Sequence, residues 1–299
     1  MLARSRRSVV VIDSGTPRNA PAEGVHALLG LEGTPPAELL ARGRREVRHY
    51  GGLVATGEVA SAAPAGTGGD PLFTVTLADG RALTARRLLV ATGVRDELPG
   101  VPGLARHWGK GLVHCPYCHG WEVRDEPIGI LATGPASVHH ALLFRQLTED
   151  LVYFTRGTDL DDDTRARFAA RGIRVVDTPV TAVEEAADGG IAGVRLADGT
   201  LVARRVLAVA TTMTARTEGL AGLGLPLRDL PGGMGRHYAS GVAGATDVPG
   251  VWVAGNATDP AAQVGASAAA GALAGARINA DLAVADTDAA LAAATAGAR

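Results

Sequence analysis

The chain has 299 residues, a formal charge of −2 and only two cysteines. Near-neutral charge leaves no basic face for nucleic acid and no acidic tail, and the Ala-rich C-terminal stretch is interrupted by Arg277, Asn279 and Asp281, which excludes a membrane span there. The length suits two domains of ordinary size, and the abundance of Ala, Gly, Val and Leu suits α/β sheets with close helix–strand packing.

Residues 8–12 are an apolar, β-branched run closed by Asp13, which reads as a buried parallel strand. An acidic residue at the tip of such a strand accepts hydrogen bonds from ribose hydroxyls in nucleotide-binding folds, and Asp-Ser-Gly is equally good turn chemistry. Arg6-Arg7 faintly resembles the start of an export signal, but the apolar run stops at Asp13, too early for one. We therefore expect a cytoplasmic protein. A Pro-rich loop at 16–22 precedes a helix over 36–50, with Thr34 as its candidate cap. Strands are expected at 72–77 and 82–91, joined by the hairpin signal Ala78-Asp79-Gly80, the second running into Ala91-Thr92-Gly93.

Next comes Cys115-Pro116-Tyr117-Cys118-His119-Gly120, which holds both cysteines. Two thiols separated by two residues can close a small ring and store two electrons as a disulfide, and Pro116 fixes one φ angle in favour of the tight turn that closure needs. A four-thiol zinc site within one chain is excluded. A Cys2His2 site using His114 or His119 is geometrically poor, since such fingers space their ligands farther apart, and no metal site is expected. Buried structural thiols are the alternative; redox chemistry is the stronger reading.

A second α/β unit begins at Pro127: strand 128–132, turn Thr133-Gly134-Pro135, helix 137–147, strand 151–155, helix 161–171 and strand 173–177. A hairpin around Ala197-Asp198-Gly199 leads to strand 206–210 and Thr211-Thr212, an echo of the earlier Ala-Thr-Gly. Strands, an Ala-Asp-Gly hairpin and a strand into Ala-Thr thus occur twice, as in paired dinucleotide-binding domains. Strand 250–254, the turn Gly255-Asn256 and a long helix from about Ala262 close the chain.

The ordered set of Val9–Asp13, Ala91-Thr92-Gly93, the Cys-Pro-Tyr-Cys-His-Gly turn, and Gly250-Val251-Trp252-Val253-Ala254-Gly255-Asn256 followed by Gln263-Val264 resembles the low-molecular-weight thioredoxin reductase family of flavin disulfide oxidoreductases. The resemblance runs over essentially the whole chain. It implies an α/β fold of two Rossmann-like, three-layer dinucleotide-binding domains, the second inserted into the first. The FAD domain would comprise about 1–112 and 242–299, and an NAD(P)-type domain, about 113–241, would bear the Cys pair; the family is usually a homodimer. It also implies that Cys118 faces the flavin C4a while Cys115 exchanges with substrate. His119 stands where better-known members carry an acidic residue, and an imidazole there can take or return the thiol proton. Asn256, where relatives usually carry Asp, would bond the FAD ribityl or phosphate region, and the helix begun by Gln263 and Val264 would favour negative charge on the reduced flavin. Arg18 and Asn19 are candidate adenosine or flavin contacts, or part of a solvated loop.

Two departures matter. The family opens with a strand and a G-x-G-x-x-G loop that holds the FAD pyrophosphate, and this chain, starting at Met1-Leu2-Ala3-Arg4, has neither. About 20–25 residues are expected to be absent, judged from the size of a strand–turn–helix unit, with Met1 an internal methionine of the natural protein. The truncated first domain should then expose apolar edges and bind FAD weakly. Second, Ala132-Thr133-Gly134-Pro135-Ala136-Ser137 is a degraded glycine loop, followed by a single Arg156 in place of the usual Arg pair that clamps a 2′-phosphate. His139-His140 pack or face solvent in preference to binding metal. NADPH is weakly supported. One reading is an NADPH-driven reductase of a thioredoxin-like protein. Another resembles the dithiol oxidases of gliotoxin- and holomycin-type pathways, which run electrons from a small-molecule dithiol through the Cys pair and FAD to oxygen. A third is a non-catalytic remnant serving as a binding module.

Overall fold

Ile128–Leu131, Leu151–Phe154 and Val206–Val209 are apolar runs in which every residue is buried. A strand of this kind is satisfied only when both faces are covered. In the computed structural model, which describes residues 1–66 and 69–297, these strands form the centre of a five-stranded parallel sheet. Its order is Arg174–Val176, Leu151–Phe154, Ile128–Leu131, Val206–Val209 and Leu112–Val113. One face carries Ile128, Ile130, Tyr153, Val206 and Ala208, which pack with Ala141 and Phe144 of the helix Ala136–Phe144 and Phe168 of the helix Asp162–Ala170. The other carries Leu131, Val152, Phe154, Leu207 and Val209, packed against Val183, Ile191, Val194, Leu196 and Val202 of a three-stranded antiparallel sheet. Asp161 caps its helix by accepting from the Thr164 amide at 2.7 Å.

This sheet belongs to a unit made of Asp96–Met213 and Asp229–Gly235. The other unit comprises Met1–Arg95, Thr214–Arg228 and Arg236–Arg299. It contains two parallel strand pairs, Val10–Asp13 with Leu53–Thr56 and Leu88–Val90 with Val251–Val253. It also holds a three-stranded antiparallel sheet of Val59–Pro64, Phe73–Leu77 and Ala82–Ala85, and the helices Pro36–His49 and Val264–Gly297. Each unit thus has parallel strands and one antiparallel three-stranded sheet, which is the architectural repeat read from the sequence. No helix among the described residues is long and apolar enough to cross a membrane.

Several expectations are corrected. The segment 82–91 is two strands, Ala82–Ala85 and Leu88–Val90, in different sheets. Arg86 and Arg87 stand between them, bonded to Asp70, Asp281 and Asp286, and these ion pairs hold the chain where it leaves one sheet for the other. Thr34 does not cap the first long helix; Pro35 is at the cap position, and no side chain caps the helix. The strand at 10–13 is parallel but not buried. Among the described residues it pairs on one edge only, and Val10 and Val11 remain 42% and 37% exposed. The strands at 53–56, 59–64 and 180–185 went unread because Ala, Ser, Thr and Glu dilute their apolar alternation.

Phe168 is fully buried, its ring centroid 5.0 Å from that of Tyr153. Phe168→Ala is expected to cost about 3–5 kcal/mol, whereas Val284→Ala at an exposed position should stay within about 0.5 kcal/mol. Urea unfolding followed by circular dichroism measures both.

Candidate active site

The edge strand Leu112–Val113 delivers the chain to the Cys pair at its carboxyl end. Cys115 is extended, Pro116 begins a helical turn that runs to His119, and the Cys118 and His119 amides both donate to the Cys115 carbonyl at 3.3 and 3.2 Å. A single helical turn thus provides the tight geometry that the Pro predicted. It brings the Cys115 and Cys118 Cα atoms to 5.2 Å, and the two sulfurs form a disulfide. Gly120 follows because any Cβ there would collide with the Pro116 carbonyl and the Leu147 side chain. His119 is half-buried, whereas Tyr117 and Trp121 are 69% and 68% exposed beside the pair.

Behind the turn lies a polar cluster that the sequence did not disclose. His114 Nδ1 lies 3.0 Å from the Val209 carbonyl and 3.2 Å from the Thr211 amide, at the end of the neighbouring strand. Thr211 Oγ1 donates to Asp96 Oδ1 at 2.6 Å. The Nε2–H of His140, from the helix Ala136–Phe144, donates to the His114 carbonyl. His140 is 7% exposed, and its ring stacks edge-on against Phe144 at 4.9 Å. Burial lowers its pKa from 6.5 to about 4, the bond to His114 opposing this and the nearby His114 and His139 adding to it.

At the glycine-type loop of the same sheet, Ser137 Oγ accepts from the Thr133 amide at 2.9 Å, and Thr133 Oγ1 donates to the Ala210 carbonyl at 2.7 Å. Gly134 leaves open space on its Cβ side, with only the Gly232 carbonyl at 3.9 Å. Arg156, at φ 50°, turns back so that Nη1 donates to the Ala132 carbonyl at 2.8 Å, and burial pushes its pKa down.

In the other unit, Asp13 ends its strand with one oxygen accepting the Gly15 amide at 2.8 Å and the other bound by Arg44 at 2.9 and 2.5 Å. Burial raises this carboxyl's pKa, but the Gly15 and Arg44 bonds outweigh it and the net shift is downward. Arg44 sits in the helix Pro36–His49, with no spacing signal to reveal it. Arg18 Nη1 reaches the Pro260 carbonyl at 3.4 Å, and Asn19 is half-buried in the adjoining loop. Ala91-Thr92-Gly93 and Gly255 follow the two paired strands Leu88–Val90 and Val251–Val253, and both glycines have positive φ, 71° and 66°. Thr92 Oγ1 donates to the Arg216 carbonyl at 3.1 Å. The Asn256 amide donates to the carbonyls of Asp259, Pro260 and Ala262, which shapes the loop before Gln263 and the first helical residue, Val264. Among the described residues no cluster of His, Cys, Asp and Glu could hold a metal ion.

A two-electron disulfide at the carboxyl end of a parallel strand, in an α/β fold of Rossmann type, defines an oxidoreductase acting through thiol–disulfide exchange. The chain belongs to the pyridine nucleotide-disulphide oxidoreductase family, which it matches over residues 6–276. It is 33% identical over 229 residues to the thioredoxin reductase tcpT of Claviceps purpurea, covering 74% of this chain and 71% of that protein. The crystal structure of HlmI superposes with a TM-score of 0.92 at 43% identity, covering 100% of this chain and 92% of that one. An oxidoreductase from Agrobacterium tumefaciens gives 0.86 at 33%, covering 95% and 92%. The chain is accordingly an enzyme of thioredoxin reductase type, and its family implies a flavin cofactor.

The residues of the first unit fit such a group. Gly93 has no atom within 4 Å of its would-be Cβ, and Gly255 meets only Ser267, so both strand tips leave space for close approach of a planar ligand. Each Asp13 oxygen also keeps unused acceptor capacity.

His140 makes stability pH-dependent in a defined window. Its folded pKa lies below the unfolded value, so the unfolded chain gains a proton that the folded chain refuses; this contribution is intact above about pH 6.5 and is lost as pH falls toward about 4. Wild type should lose about 2–3 kcal/mol more than His140→Gln between about pH 7 and pH 4.5, measured by urea unfolding at each pH.

Proposed function

We propose that the chain is an FAD-dependent thiol–disulfide oxidoreductase that passes an electron pair between a substrate dithiol or disulfide, the Cys115–Cys118 pair and FAD. The observation that carries this reading is the Cys115–Cys118 disulfide itself, closed within one helical turn at a strand end. Asp13, Arg18, Asn19, Ala91, Thr92, Gly93, Gly255, Asn256, Gln263 and Val264 would hold the FAD, which when bound accepts or returns the electron pair. In the oxidising direction a substrate thiolate attacks the Cys115 sulfur. The Cys115–Cys118 bond breaks, and Cys118 leaves as a thiolate. The second substrate thiolate then displaces Cys115, releasing a substrate disulfide and leaving two reduced cysteines. Two thiol protons must be removed along the way, and His119, one residue beyond Cys118, is placed in sequence to accept one. The reducing direction is the same path reversed. The substrate is a thioredoxin-like protein or a small-molecule dithiol, the setting is cytoplasmic, and the assembly is a homodimer.

A second reading for electron flow is favoured by the state of the glycine-type loop. A dinucleotide phosphate is held by free backbone amides. Here the Thr133 amide is taken by Ser137, Pro135 has no N–H to offer, and Arg156 is tied to the Ala132 carbonyl. These features support a dithiol oxidase that gives its electrons to oxygen and uses NADPH poorly.

Anaerobic titration of the flavin-loaded chain tests both readings. A dithiol should bleach the visible flavin band in wild type, whereas Cys115→Ser and Cys118→Ser should slow bleaching at least ~1,000-fold. Bleaching of either variant at the wild-type rate would remove the Cys pair from the path. NADPH is expected to leave the band intact, with air restoring it after dithiol reduction; rapid bleaching by NADPH would select the nucleotide-driven reductase.

A further inference from the structure

His114 contributes no group to thiol exchange in the scheme above, yet both of its ends are held. Its carbonyl belongs to the peptide plane whose N–H is that of Cys115, and that oxygen accepts from His140 Nε2. Its ring is held at the carboxyl end of the neighbouring strand Val206–Val209 by Val209 and Thr211, and Thr211 is itself tied to Asp96. We propose that His140 and Thr211 are positioning residues of the redox turn, fixing the His114–Cys115 peptide and thereby biasing the Cys115–Cys118 couple toward its disulfide.

This role presupposes the redox-active Cys pair of the proposed function and concerns what sets its equilibrium. A disulfide demands a particular Cα separation, and the anchored turn supplies 5.2 Å, inside the permitted range. Two free thiols make no such demand. An anchor that removes motion from Cys115 therefore costs the dithiol conformational freedom that the disulfide has already given up, and it stabilises the oxidised form relative to the reduced one.

The composition of the anchor supports a positioning role. His140 reaches the turn from a helix on one face of the sheet, with its Nδ1 buried and lacking a hydrogen-bond partner. A fold seeking stability alone would place an apolar side chain beside Phe144, because an unsatisfied buried nitrogen carries a desolvation penalty that no bond offsets. What the imidazole adds is a rigid N–H aimed at one carbonyl, with its tautomer fixed by that acceptor. Thr211 follows the strand Val206–Val209, which neighbours the edge strand Leu112–Val113.

The test equilibrates the full chain in glutathione buffers of graded ratio, traps free thiols by alkylation and counts them by mass. His140→Leu removes the donor at similar volume. Thr211→Val keeps the amide but removes the hydroxyl, which ties residue 211 to Asp96 and meets His114 Nδ1 at 3.4 Å, and His140→Gln restores an N–H at the same reach. His140→Leu and Thr211→Val are expected to move the dithiol–disulfide equilibrium toward the dithiol by about 3- to 10-fold, the worth of one hydrogen bond, with His140→Gln within about two-fold of wild type. Wild-type equilibria in both His140→Leu and Thr211→Val would overturn the proposal; should His140→Leu fail to fold, Thr211→Val alone decides. Counting thiols requires no flavin turnover, so this failure is distinct from failure of the proposed activity. A wild-type pair that does not exchange with glutathione at any ratio would overturn both.

Discussion

The pairing of Leu207 with Leu112 and Ala208 with Val113 is the constraint on which the redox turn depends. Leu112–Val113 is only two residues long and forms the edge of its sheet, so local propensity does little to hold it. It is held because Val206–Val209 beside it is buried on both faces, with Leu207 and Val209 in one core and Val206 and Ala208 in the other. A register slip of one residue would exchange those faces and turn apolar side chains out of both cores. The register is therefore fixed by burial, and the position of Cys115, two residues past the strand, is fixed with it.

Parallel strands gather their carboxyl ends on one side of a sheet, where chain ends, loop amides and helix starts meet. In the second unit that side carries His114, Thr133, Arg156 and Thr211, and the protein satisfies much of its exposed hydrogen-bonding capacity there from within. Ser137 takes an amide, Arg156 takes a carbonyl and Thr133 bridges to Ala210. Each bond is modest alone, but a ligand that needs those same groups must first break them, losing about 0.5–1.5 kcal/mol per bond. The first unit differs. Gly93 and Gly255 stand at adjacent strand tips, and a Cβ would meet nothing within 4 Å at Gly93 and only Ser267 at Gly255. What sets the second unit apart is that the Thr133 amide and the Arg156 guanidinium are already engaged by the protein itself.

Much of this was legible in the sequence. The buried strands of the second unit stood out because a parallel strand covered on both faces has no polar alternation, and the Cys-Pro-x-Cys spacing announced its own turn. The matching Ala-Asp-Gly hairpins exposed the repeat. Legibility failed where an element takes its character from distant partners. The break at Arg86-Arg87 depends on Asp281 and Asp286, some 200 residues away in the chain, so the segment read as one continuous strand. Nothing in the spacing of the helix marks Arg44 as the partner that the fold places on Asp13. Asn256 drew notice through its position in the motif, and the three loop carbonyls that its amide engages were not legible there.

The histidines show why residue type alone could not assign the site. His114, His119 and His140 lie within 27 positions, and chemistry on paper would rank the one next to a cysteine first. Their environments separate them. His140 is deeply buried, and its proton affinity is so depressed that it stays neutral through the physiological range, which disqualifies it as a proton carrier and suits it to be a fixed donor. His114 has its Nδ1 between an acceptor, the Val209 carbonyl, and a donor, the Thr211 amide. Either protonation state of that nitrogen finds a partner without the ring moving, so its hold on the turn does not depend on which state it occupies. His119 lies in the helical turn with Cys118 and is half-buried. Burial and hydrogen bonding, set by packing far from the cysteines, thus give one kind of side chain three different environments around a single turn.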